Sequence, residues 1–398
     1  MPSLKQLFYN NQGRPSNEPI GIEIVNSEGI YLFDKEGKDY IDLVSGVSVS
    51  NLGHKHPQIV KAIKDQLDKY SHLMVYGEFI QEPQVRFAQL LAQQIPAPLE
   101  ATYFVNSGSE AIEGALKLAK RYTGRSEILA FKNAYHGSTH GAMSVMGSEF
   151  FKTAYRPLLP DIGFMEFNNE DDLKRITTKT ACVLVEPVQG EGGIISPKND
   201  FLKKIRKACD ATDTLLIFDE IQTGFGRTGS LFAFQKYGVI PDIFAIAKAM
   251  GGGMPIGGFV SSTKIMDTLT FNPVLGHITT FGGHPVSAAA ALANLEILVN
   301  NPELLDSTEE KAQLFRSHLE TIAAIKSIRN DGLYMAIDLG AEYDISNLMQ
   351  EFYKQGIISD LFLFYEGAFR ISPPLIITNE EIIEACHRIN QSFINLDK

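Results

Sequence analysis

Short apolar runs alternate with amphipathic helical patterns through the middle of the chain. The runs lack a polar residue at every second position, which is typical of strands that are buried on both faces of a sheet. Between them lie stretches with helical spacing, such as PQIVKAIKDQLDKY at 57–70 and VRFAQLLAQQI at 85–95. We therefore predict an α/β fold whose central sheet is mostly parallel and has helices on both faces. The predicted strands lie in ATYFVN, SEILAF, TACVLVEP, TLLIFDE, DIFAIAK and GGFVSS, which begin at residues 101, 126, 180, 214, 242 and 257.

Both ends of the chain have a different pattern. Residues 20–44 contain the strand patterns IGIEIV, IYLFD and YIDLV, joined by the polar turns NSEG and KEGKD. Beyond Pro285 the pattern predicts helices over 286–300 and 311–325, strands in SIRNDGLYMAIDLG, a further helix, a strand in AFRISPP and a final helix over 379–394. We predict a large domain over residues 57–284 and a smaller α+β domain built from residues 1–56 and 285–398.

The composition is that of a globular protein with a large core. The chain has 398 residues, 44% of them hydrophobic, and a formal net charge of -11. The excess of acidic residues argues against nucleic acid as the main partner, because phosphate contacts need clustered lysine and arginine. No segment approaches the roughly 18 apolar residues of a membrane span, and MPSLKQLFYNNQGRP has no apolar stretch of signal-peptide length. We expect a cytoplasmic protein with neither a nucleic acid nor a membrane partner.

The spacing of cysteine and histidine does not predict a metal site. Cys182, Cys209 and Cys386 are far apart, form no CxxC motif and lie in apolar or amphipathic contexts. We expect them to be reduced core residues. His54 and His56, in GHKHP, are assigned a structural role and no metal ligand.

Small polar residues follow the first predicted strand of the core. In an open sheet, ligands bind at the carboxyl ends of the strands. ATYFVN is followed by Ser107, Gly108 and Ser109, and we predict that a helix begins at Glu110. Backbone N–H groups and a hydroxyl at the positive end of a helix suit a phosphate. The alternative is a serine cap without a ligand, in which Ser109 and Glu110 satisfy the first turn.

Charged residues end two further predicted strands. TLLIFDE ends in Asp219 and Glu220, and a buried carboxylate is costly unless a cation or a hydrogen-bond donor faces it. The carboxylate at this strand end serves either as a helix cap or partner for Arg227, or as an anion beneath a protonated ligand nitrogen. DIFAIAK ends in Lys248, just before three glycines that allow a sharp turn. Burial lowers the pKa of a lysine and frees its amine as a nucleophile, so we favour a functional Lys248 over a surface lysine.

One glycine-rich motif suggests a different chemistry. GFGRTG, at 224–229, matches the dinucleotide fingerprint G-x-G-x-x-G. That fingerprint joins a strand directly to a helix in the first βαβ unit, whereas this motif lies mid-chain, beyond Asp219 and Glu220. We interpret it as a flexible loop.

A phosphate cradle, a strand-end aspartate and a buried lysine, in this chain order, are typical of a pyridoxal phosphate site. The sequence resembles the class III aminotransferases, which include ornithine, acetylornithine and 4-aminobutyrate aminotransferases. The resemblance implies the aspartate-aminotransferase-like fold (fold type I) and a homodimer whose two active sites lie at the subunit interface. It is carried by YIDLVSGVSVSNLGHKHP, FVNSGSEAIEGALKLAKRYTG, AYHGST, VEPVQGEGG, LLIFDEIQTGFGRTG, AIAKAMGGGMPIGG, TTFGGHP and FRISPP, which together span most of the chain.

The resemblance also implies roles for the residues that surround the cofactor ring. Lys248 would hold the cofactor aldehyde as a Schiff base and act as the catalytic base. Asp219 would bind the pyridine nitrogen and keep it protonated, so that the ring can accept electron density. Tyr135 and Ile221 would lie against opposite faces of the ring, and Gln222 would reach the ring hydroxyl.

The remaining cofactor residues follow from the same motifs. Gly108 and Ser109 would hold the phosphate, helped by Thr280 of the partner subunit. Ser107, His136 and Glu186 complete the predicted cofactor-binding set.

Two matches and two departures bear on the substrate. Arg370, in FRISPP, matches the family arginine that binds a substrate carboxylate, and Glu191, in VQGEGG, matches the glutamate that pairs with it when an ω-amino donor is bound. A purely structural salt bridge is the alternative. Ser138 stands where ornithine and acetylornithine enzymes usually carry an arginine for the far carboxylate of the donor. His284 stands where asparagine is usual, near the phosphate.

We predict an aminotransferase that moves an amino group from an ω-amino or diamino donor, of the acetylornithine, ornithine or 4-aminobutyrate type, to 2-oxoglutarate by a ping-pong mechanism. Within the same fold, an aminomutase or an epimerase is the alternative. From other classes, the alternatives are a nicotinamide-dependent dehydrogenase that uses GFGRTG and a binding or regulatory protein without turnover.

Overall fold

The computed structural model describes residues 2–396. Its helices are α1 (Leu4–Asn11), α2 (Ser45–Ser48), α3 (Pro57–Lys69), α4 (Glu82–Gln94), α5 (Gly108–Thr123), α6 (His140–Ser144), α7 (Phe201–Asp210), α8 (Ala233–Tyr237), α9 (Thr263–Met266), α10 (Pro285–Asn300), α11 (Glu303–Asp306), α12 (Thr308–Leu319), α13 (Ile345–Gln355) and α14 (Asn379–Leu396). Its strands are β1 (Ile24–Glu28), β2 (Tyr31–Asp34), β3 (Asp39–Asp42), β4 (Ala101–Val105), β5 (Glu127–Phe131), β6 (Ile162–Met165), β7 (Thr180–Val185), β8 (Leu215–Asp219), β9 (Ile243–Ile246), β10 (Gly257–Ser261), β11 (Ser327–Asn330), β12 (Met335–Asp338), β13 (Ile357–Ile358), β14 (Asp360–Leu361) and β15 (Ala368–Ile371).

A seven-stranded sheet forms the centre of the molecule, in the order β4-β10-β9-β8-β7-β5-β6. The strands from β9 to β6 pair in parallel, whereas β10 is antiparallel to both of its neighbours, β4 and β9. The prediction of a mostly parallel sheet is confirmed, and each of the six predicted runs forms a strand. The edge strand β6 was not predicted, because only Met165 at its end is fully buried.

Helices cover both faces of this sheet, as the apolar runs predicted. Along β7, Cys182 and Leu184 belong to one apolar core, whereas Val183 and Val185 belong to another. Alternate residues of a strand point to opposite faces, so these two cores lie on opposite sides of the sheet. Helix α5 packs in the first core and α7 in the second. All three cysteines are free and buried, in agreement with the prediction.

Two four-stranded sheets are built from the ends of the chain. Strands β1, β2 and β3 are antiparallel neighbours, and β13 joins β3 in parallel, so a C-terminal segment completes the N-terminal sheet. The other sheet has the order β11-β12-β15-β14. The predicted turn NSEG was wrong in part: β1 begins at Ile24 and runs to Glu28. This strand is mostly exposed, so its sequence needs no apolar alternation. The domain boundaries at residues 57 and 285 stay a prediction.

Residues 2–396 contain neither a membrane-spanning helix nor a cluster of metal-ligating side chains. In this part of the chain, the helices are too short or too polar to cross a bilayer. The same residues contain no group of three or more His, Cys, Asp or Glu side chains that could hold a metal ion.

Candidate active site

A cavity of about 430 Å³ opens at the carboxyl edge of the central sheet. The residues that follow β4, β7, β8 and β9 meet there, because parallel strands end at the same edge. The predicted site residues that line this cavity are Ser107, Gly108, Ser109, Tyr135, His136, Glu186, Asp219, Ile221, Gln222 and Lys248. Asn106, Val49 and the segment from Gly253 to Ile256 also line it. Thr280, Glu191 and Arg370 do not.

The N-terminus of α5 faces the cavity. Ser107 is its capping residue, because the Ser107 Oγ atom accepts a hydrogen bond from the Glu110 N–H at 3.2 Å. The helix therefore begins at Gly108, and the predicted start at Glu110 with Ser109 as the cap was wrong. The carboxylate of Glu110 instead accepts hydrogen bonds from the backbone and side-chain nitrogens of Asn106.

The backbone around this helix end is closely packed. A Cβ atom on Gly137 would lie 2.2 Å from Ser109 Oγ, and one on Gly108 would lie 2.9 Å from Ile221 Cδ1. Gly137 also has a φ of 128°, which side chains rarely permit. These glycines leave the first N–H groups of a 16-residue helix open toward the cavity. Such a helix end is suited to an anion, in particular a phosphate.

Asp219 and His136 form a buried hydrogen bond at the end of β8. His136 Nδ1 lies 2.7 Å from Asp219 Oδ2, and Asp219 Oδ1 accepts a hydrogen bond from the Ile221 N–H at 3.0 Å. Among the described residues, nothing contacts His136 Nε2 by a hydrogen bond. Both carboxylate oxygens of Asp219 are thus held by hydrogen bonds. Lys248 also interacts with this carboxylate electrostatically.

Lys248 begins a tight turn directly after β9. Its φ is 47°, a left-handed conformation, and the turn continues to Gly251. The side chain is partly accessible through the cavity and otherwise enclosed by protein, so the predicted burial holds in part. Burial lowers the pKa of Lys248 to about 8; Glu191 opposes this shift and Arg370 adds to it. The amine is therefore neutral in a large fraction of molecules near pH 8.

Glu186 adds an acidic group whose ionisation is disfavoured. Burial raises its pKa well above the usual value, and the nearby Asp219 raises it further. The carboxyl group accepts hydrogen bonds from the Tyr135 N–H at 3.4 Å and the Gly190 N–H at 3.3 Å. These bonds hold the Glu186 carboxyl group at the cavity, close to Asp219.

Arg370 and Glu191 form a buried ion pair next to the cavity. Arg370 Nη2 lies 2.6 Å from Glu191 Oε1, and both side chains are at least nine-tenths buried. Gln222 joins them: its Oε1 accepts from Arg370 Nη1 at 3.3 Å and from the Tyr334 hydroxyl at 3.0 Å, and its Nε2 donates to Glu191 at 3.3 Å. Burial raises the pKa of Glu191, but Arg370, the Leu363 N–H and Lys248 together lower it below its usual value, which favours the ionised carboxylate.

Two residues near this ion pair were not predicted from the sequence. Tyr334, fully buried on the link to β12, donates to Gln222. Asp360, on β14, pairs with Arg370 across the strands. Neither residue lies in a motif with a chemical signature. A polar residue inside an otherwise apolar strand pattern was the signal available for both.

Glu220 and the GFGRTG turn have structural roles. The Glu220 carboxylate accepts from the backbone N–H groups of Ala233 and Phe234, at 3.1 and 2.7 Å, and from the Thr223 hydroxyl. Arg227 donates to the carbonyl oxygens of Leu333 and Pro373, so it is no partner of either acid. The turn is buried from Gly224 to Thr228. The predicted flexible loop was therefore wrong: these bonds fix the backbone.

Thr280 and His284 lie in a surface segment. Thr280 is exposed, and the neighbouring Thr279 hydroxyl accepts a hydrogen bond from Asn106 Nδ2 at 2.7 Å. The ring of His284 stacks on His72 with centroids 5.4 Å apart. The segment also exposes the large apolar side chains of Phe271, Val274, Leu275, Ile278 and Phe281.

The chain matches the family model described as Aminotransferase class-III over residues 12–393. It is 37% identical to the acetylornithine aminotransferase of Clostridium acetobutylicum, covering 96% of this chain and 97% of that protein. It is 38% identical to the succinylornithine transaminase of Citrobacter koseri, covering 94% and 95%. A solved structure of the ornithine aminotransferase from Toxoplasma gondii, with partial occupancy of PLP at its active site, superposes with a TM-score of 0.90 and 28% identity, covering 98% and 93%.

The chain belongs to the class III aminotransferases, and the family resemblance predicted from the motifs is confirmed. The protein is a transaminase whose cofactor is pyridoxal phosphate. Its fold is that of the solved transaminase structures, for example one from the marine bacterium Virgibacillus, with a TM-score of 0.91, 27% identity and coverage of 99% and 98%. The dehydrogenase and the binding protein without turnover are therefore excluded.

Proposed function

We propose that the enzyme transfers an amino group from an ω-amino or diamino donor to 2-oxoglutarate by a ping-pong mechanism. The observation that carries this proposal is the buried ion pair of Glu191 and Arg370, which acts electrostatically on Lys248. An arginine that binds a substrate carboxylate in one half-reaction and pairs with a glutamate in the other can serve two substrates of different charge. The acetylornithine and succinylornithine enzymes named above support a donor whose reacting amine lies far from its α-carboxylate.

The residues of the cavity fit pyridoxal phosphate. The open N–H groups at the start of α5, with the Ser107 and Ser109 hydroxyls, suit its phosphate, and Asp219 suits a protonated ring nitrogen. When bound, this cofactor supplies a ring that accepts electron density from the substrate carbon. We assign the rest of the set by position: Tyr135 and Ile221 against the ring faces, and Gln222 toward the ring hydroxyl. His136 and Glu186 complete it.

Lys248 is the proposed base of the reaction. Its lowered pKa makes the amine available for covalent attachment and for moving a proton from the substrate carbon. His136 fixes the orientation of Asp219, so the carboxylate stays in position while the charge on the ring changes.

Arg370 is the proposed carboxylate site. Its Nη1 and Nη2 atoms donate to Gln222 and Glu191, whereas Nε has no hydrogen-bond partner among the described residues. A 2-oxoglutarate carboxylate would displace Glu191, and the pair would form again when an ω-amino donor without a carboxylate at that end is bound.

We also propose a homodimer in which Thr280 of the partner subunit completes the phosphate site. The apolar side chains exposed on residues 271–281 support this arrangement, because contiguous apolar surface is typical of an interface. Light scattering of the purified protein measures the mass directly. A monomeric holoenzyme with full activity would exclude the shared site.

The first experiment is visible absorption of the purified protein and of Lys248→Ala, before and after adding 4-aminobutyrate, ornithine or acetylornithine. We expect a yellow band that requires Lys248, bleaches with a donor and returns with 2-oxoglutarate, with release of a keto product. Rearranged product without release of keto acid would instead indicate an aminomutase, and inversion without bleaching an epimerase. A protein that binds no cofactor would contradict the proposal.

A further inference from the structure

Asp360 faces Arg370 across two neighbouring strands. Strand β14 pairs with β15 in an antiparallel register that places Asp360 opposite Arg370 and Leu361 opposite Phe369. Residues directly opposite each other project from the same face of a sheet, with Cβ atoms roughly 5 Å apart. The Asp360 carboxylate therefore lies on the same side as the Arg370 guanidinium. The Ser359 hydroxyl donates to the Arg370 carbonyl at 2.8 Å, which holds the two strands together.

The charges around Asp360 belong to the active site. Arg370 acts on it from β15, Glu191 from the segment after β7 and Lys248 from the turn after β9. The hydroxyl of Tyr353, on α13, also interacts with it electrostatically. Asp360 Oδ1 accepts a hydrogen bond from the Leu361 N–H at 2.9 Å. Two carboxylates thus act on one buried arginine, although Glu191 alone is bonded to it.

The two carboxylates differ in their freedom to move away. Glu191 is bonded directly to Arg370, so a substrate carboxylate must replace it, whereas Asp360 is held beside the arginine by the Leu361 N–H without a bond to Arg370 that must break. When a substrate carboxylate replaces Glu191, the negative charge of Asp360 still opposes it. We infer that Asp360 is a specificity-determining residue that weakens carboxylate binding at Arg370 and so favours donors with no carboxylate at that end. This inference rests on the proposed function, because it assumes that Arg370 binds the substrate carboxylate.

The direction in which dicarboxylate binding changes with pH follows from the pKa shifts of Asp360 and Glu191. Burial raises the pKa of Asp360, and Arg370 offsets this only in part. Burial also raises the pKa of Glu191, but Arg370, the Leu363 N–H and Lys248 together lower it below its usual value. As the pH falls, Asp360 is therefore protonated at a higher pH than an ordinary aspartate, and its opposition to an incoming carboxylate is then removed. Dicarboxylate binding should tighten on acidification.

The test uses the holoenzyme and glutarate, an unreactive dicarboxylate, in titration calorimetry at about pH 8. Asp360→Asn removes the charge but keeps an oxygen that can accept from the Leu361 N–H. We expect it to bind glutarate about tenfold more tightly, which corresponds to one pKa unit of interaction. Glu366→Gln, which removes an exposed negative charge from the loop between β14 and β15, is the matched control and should bind as the wild type does.

A pH series separates electrostatics from a structural effect. As the pH is lowered from about 8, glutarate binding should tighten in the wild type and change less in Asp360→Asn, because protonation of Asp360 removes the same charge. The ratio of kcat/KM for carboxylated donors to that for simple amines should also rise in the variant. If Asp360→Asn does not fold, Asp360→Glu, which keeps the charge, should retain the pH dependence, and a wild type without it overturns the inference.

The two proposals fail differently. Equal glutarate affinity in wild type and Asp360→Asn, with the Lys248-dependent band and turnover intact, overturns the role of Asp360 alone. Loss of that band in the wild type overturns the proposed function itself.

Discussion

His136 Nδ1 lies 2.7 Å from Asp219 Oδ2, and both side chains are buried where β8 ends. The bond fixes one carboxylate oxygen while the Ile221 N–H fixes the other. Asp219 is therefore positioned before any ligand binds, which is the arrangement that electrostatic catalysis requires.

Replacing His136 should weaken the cofactor site. His136→Phe keeps a planar ring but removes the bond to Asp219, and a hydrogen bond to a charged group contributes about 1.5–3 kcal/mol. We expect the dissociation constant for pyridoxal phosphate, measured by fluorescence, to rise roughly tenfold or more. His387→Phe, at an exposed position of α14, should not change it. Equal affinities in the two variants would show that Asp219 needs no positioning.

The lowered pKa of Lys248 predicts how the apoenzyme reacts with its cofactor. The neutral amine attacks the aldehyde, so the rate should fall as the pH drops below about 8, where the amine becomes protonated. Stopped-flow absorbance on apoenzyme mixed with pyridoxal phosphate measures this rate. Lys248→Ala should form no yellow band. A rate that keeps rising to about pH 10, as for an ordinary lysine, would contradict the shift.

Glu191→Gln should change the balance between the two half-reactions. The amide oxygen still accepts from the Leu363 N–H, but Arg370 loses its bonded counter-charge. We expect the KM for 2-oxoglutarate to fall about tenfold and the half-reaction with an ω-amine to slow, because the arginine then faces the donor unpaired. Single-turnover kinetics for each half measure both effects. Unchanged values would make the pair structural, the alternative that the sequence left open.

Ser138→Arg should favour carboxylated donors. The Ser138 hydroxyl lies 3.0 Å from the hydroxyl of Tyr135, which lines the cavity, and the Tyr135 ring is 6.5 Å from Phe364. An arginine there offers a bidentate partner, and the kcat/KM ratio of acetylornithine to a simple diamine should rise roughly tenfold. His140→Arg adds the same charge two residues away as a control. An unchanged donor ranking would count against this interpretation.

Glu220 should matter for stability rather than for chemistry. Glu220→Ala leaves the N–H groups of Ala233 and Phe234 without an acceptor in a buried place. We expect the free energy of unfolding to fall by about 2–4 kcal/mol in urea denaturation, since orphaned buried donors are costly. Glu366→Ala, on the surface, should change little. A fully stable Glu220→Ala with lost activity would reverse the assignment.

The residues at the strand ends could be predicted because their neighbours are unambiguous. Buried parallel strands have continuous apolar runs, so Asp219 and Lys248 stand out as the polar residues that end them, and the sheet edge then brings them together. The start of α5 was misplaced by two residues because Ser107 and Ser109 are both good caps, and the local sequence does not distinguish them.

What could not be predicted depends on packing between distant segments. Asp360 lies on a two-residue strand, too short for any periodic pattern, and its partner Arg370 is set by sheet pairing alone. Likewise, the glycines of GFGRTG predict a flexible backbone. Arg227 instead donates to two carbonyl groups that are distant in sequence, and these bonds hold the turn in place. Tyr334 was missed for the same reason: its hydroxyl meets Gln222, which is far away in sequence.

Strand β10 also governs the order in which the molecule can be assembled. It is the neighbour through which β4 joins the central sheet, although β4 precedes it by about 150 residues. During synthesis, β4 has no strand to pair with until residues 257–261 have left the ribosome. The helix end that suits the phosphate follows β4 directly, so it can take its final place only then. Fragments that stop before residue 257 should therefore leave this edge open, prone to aggregation and unable to retain cofactor.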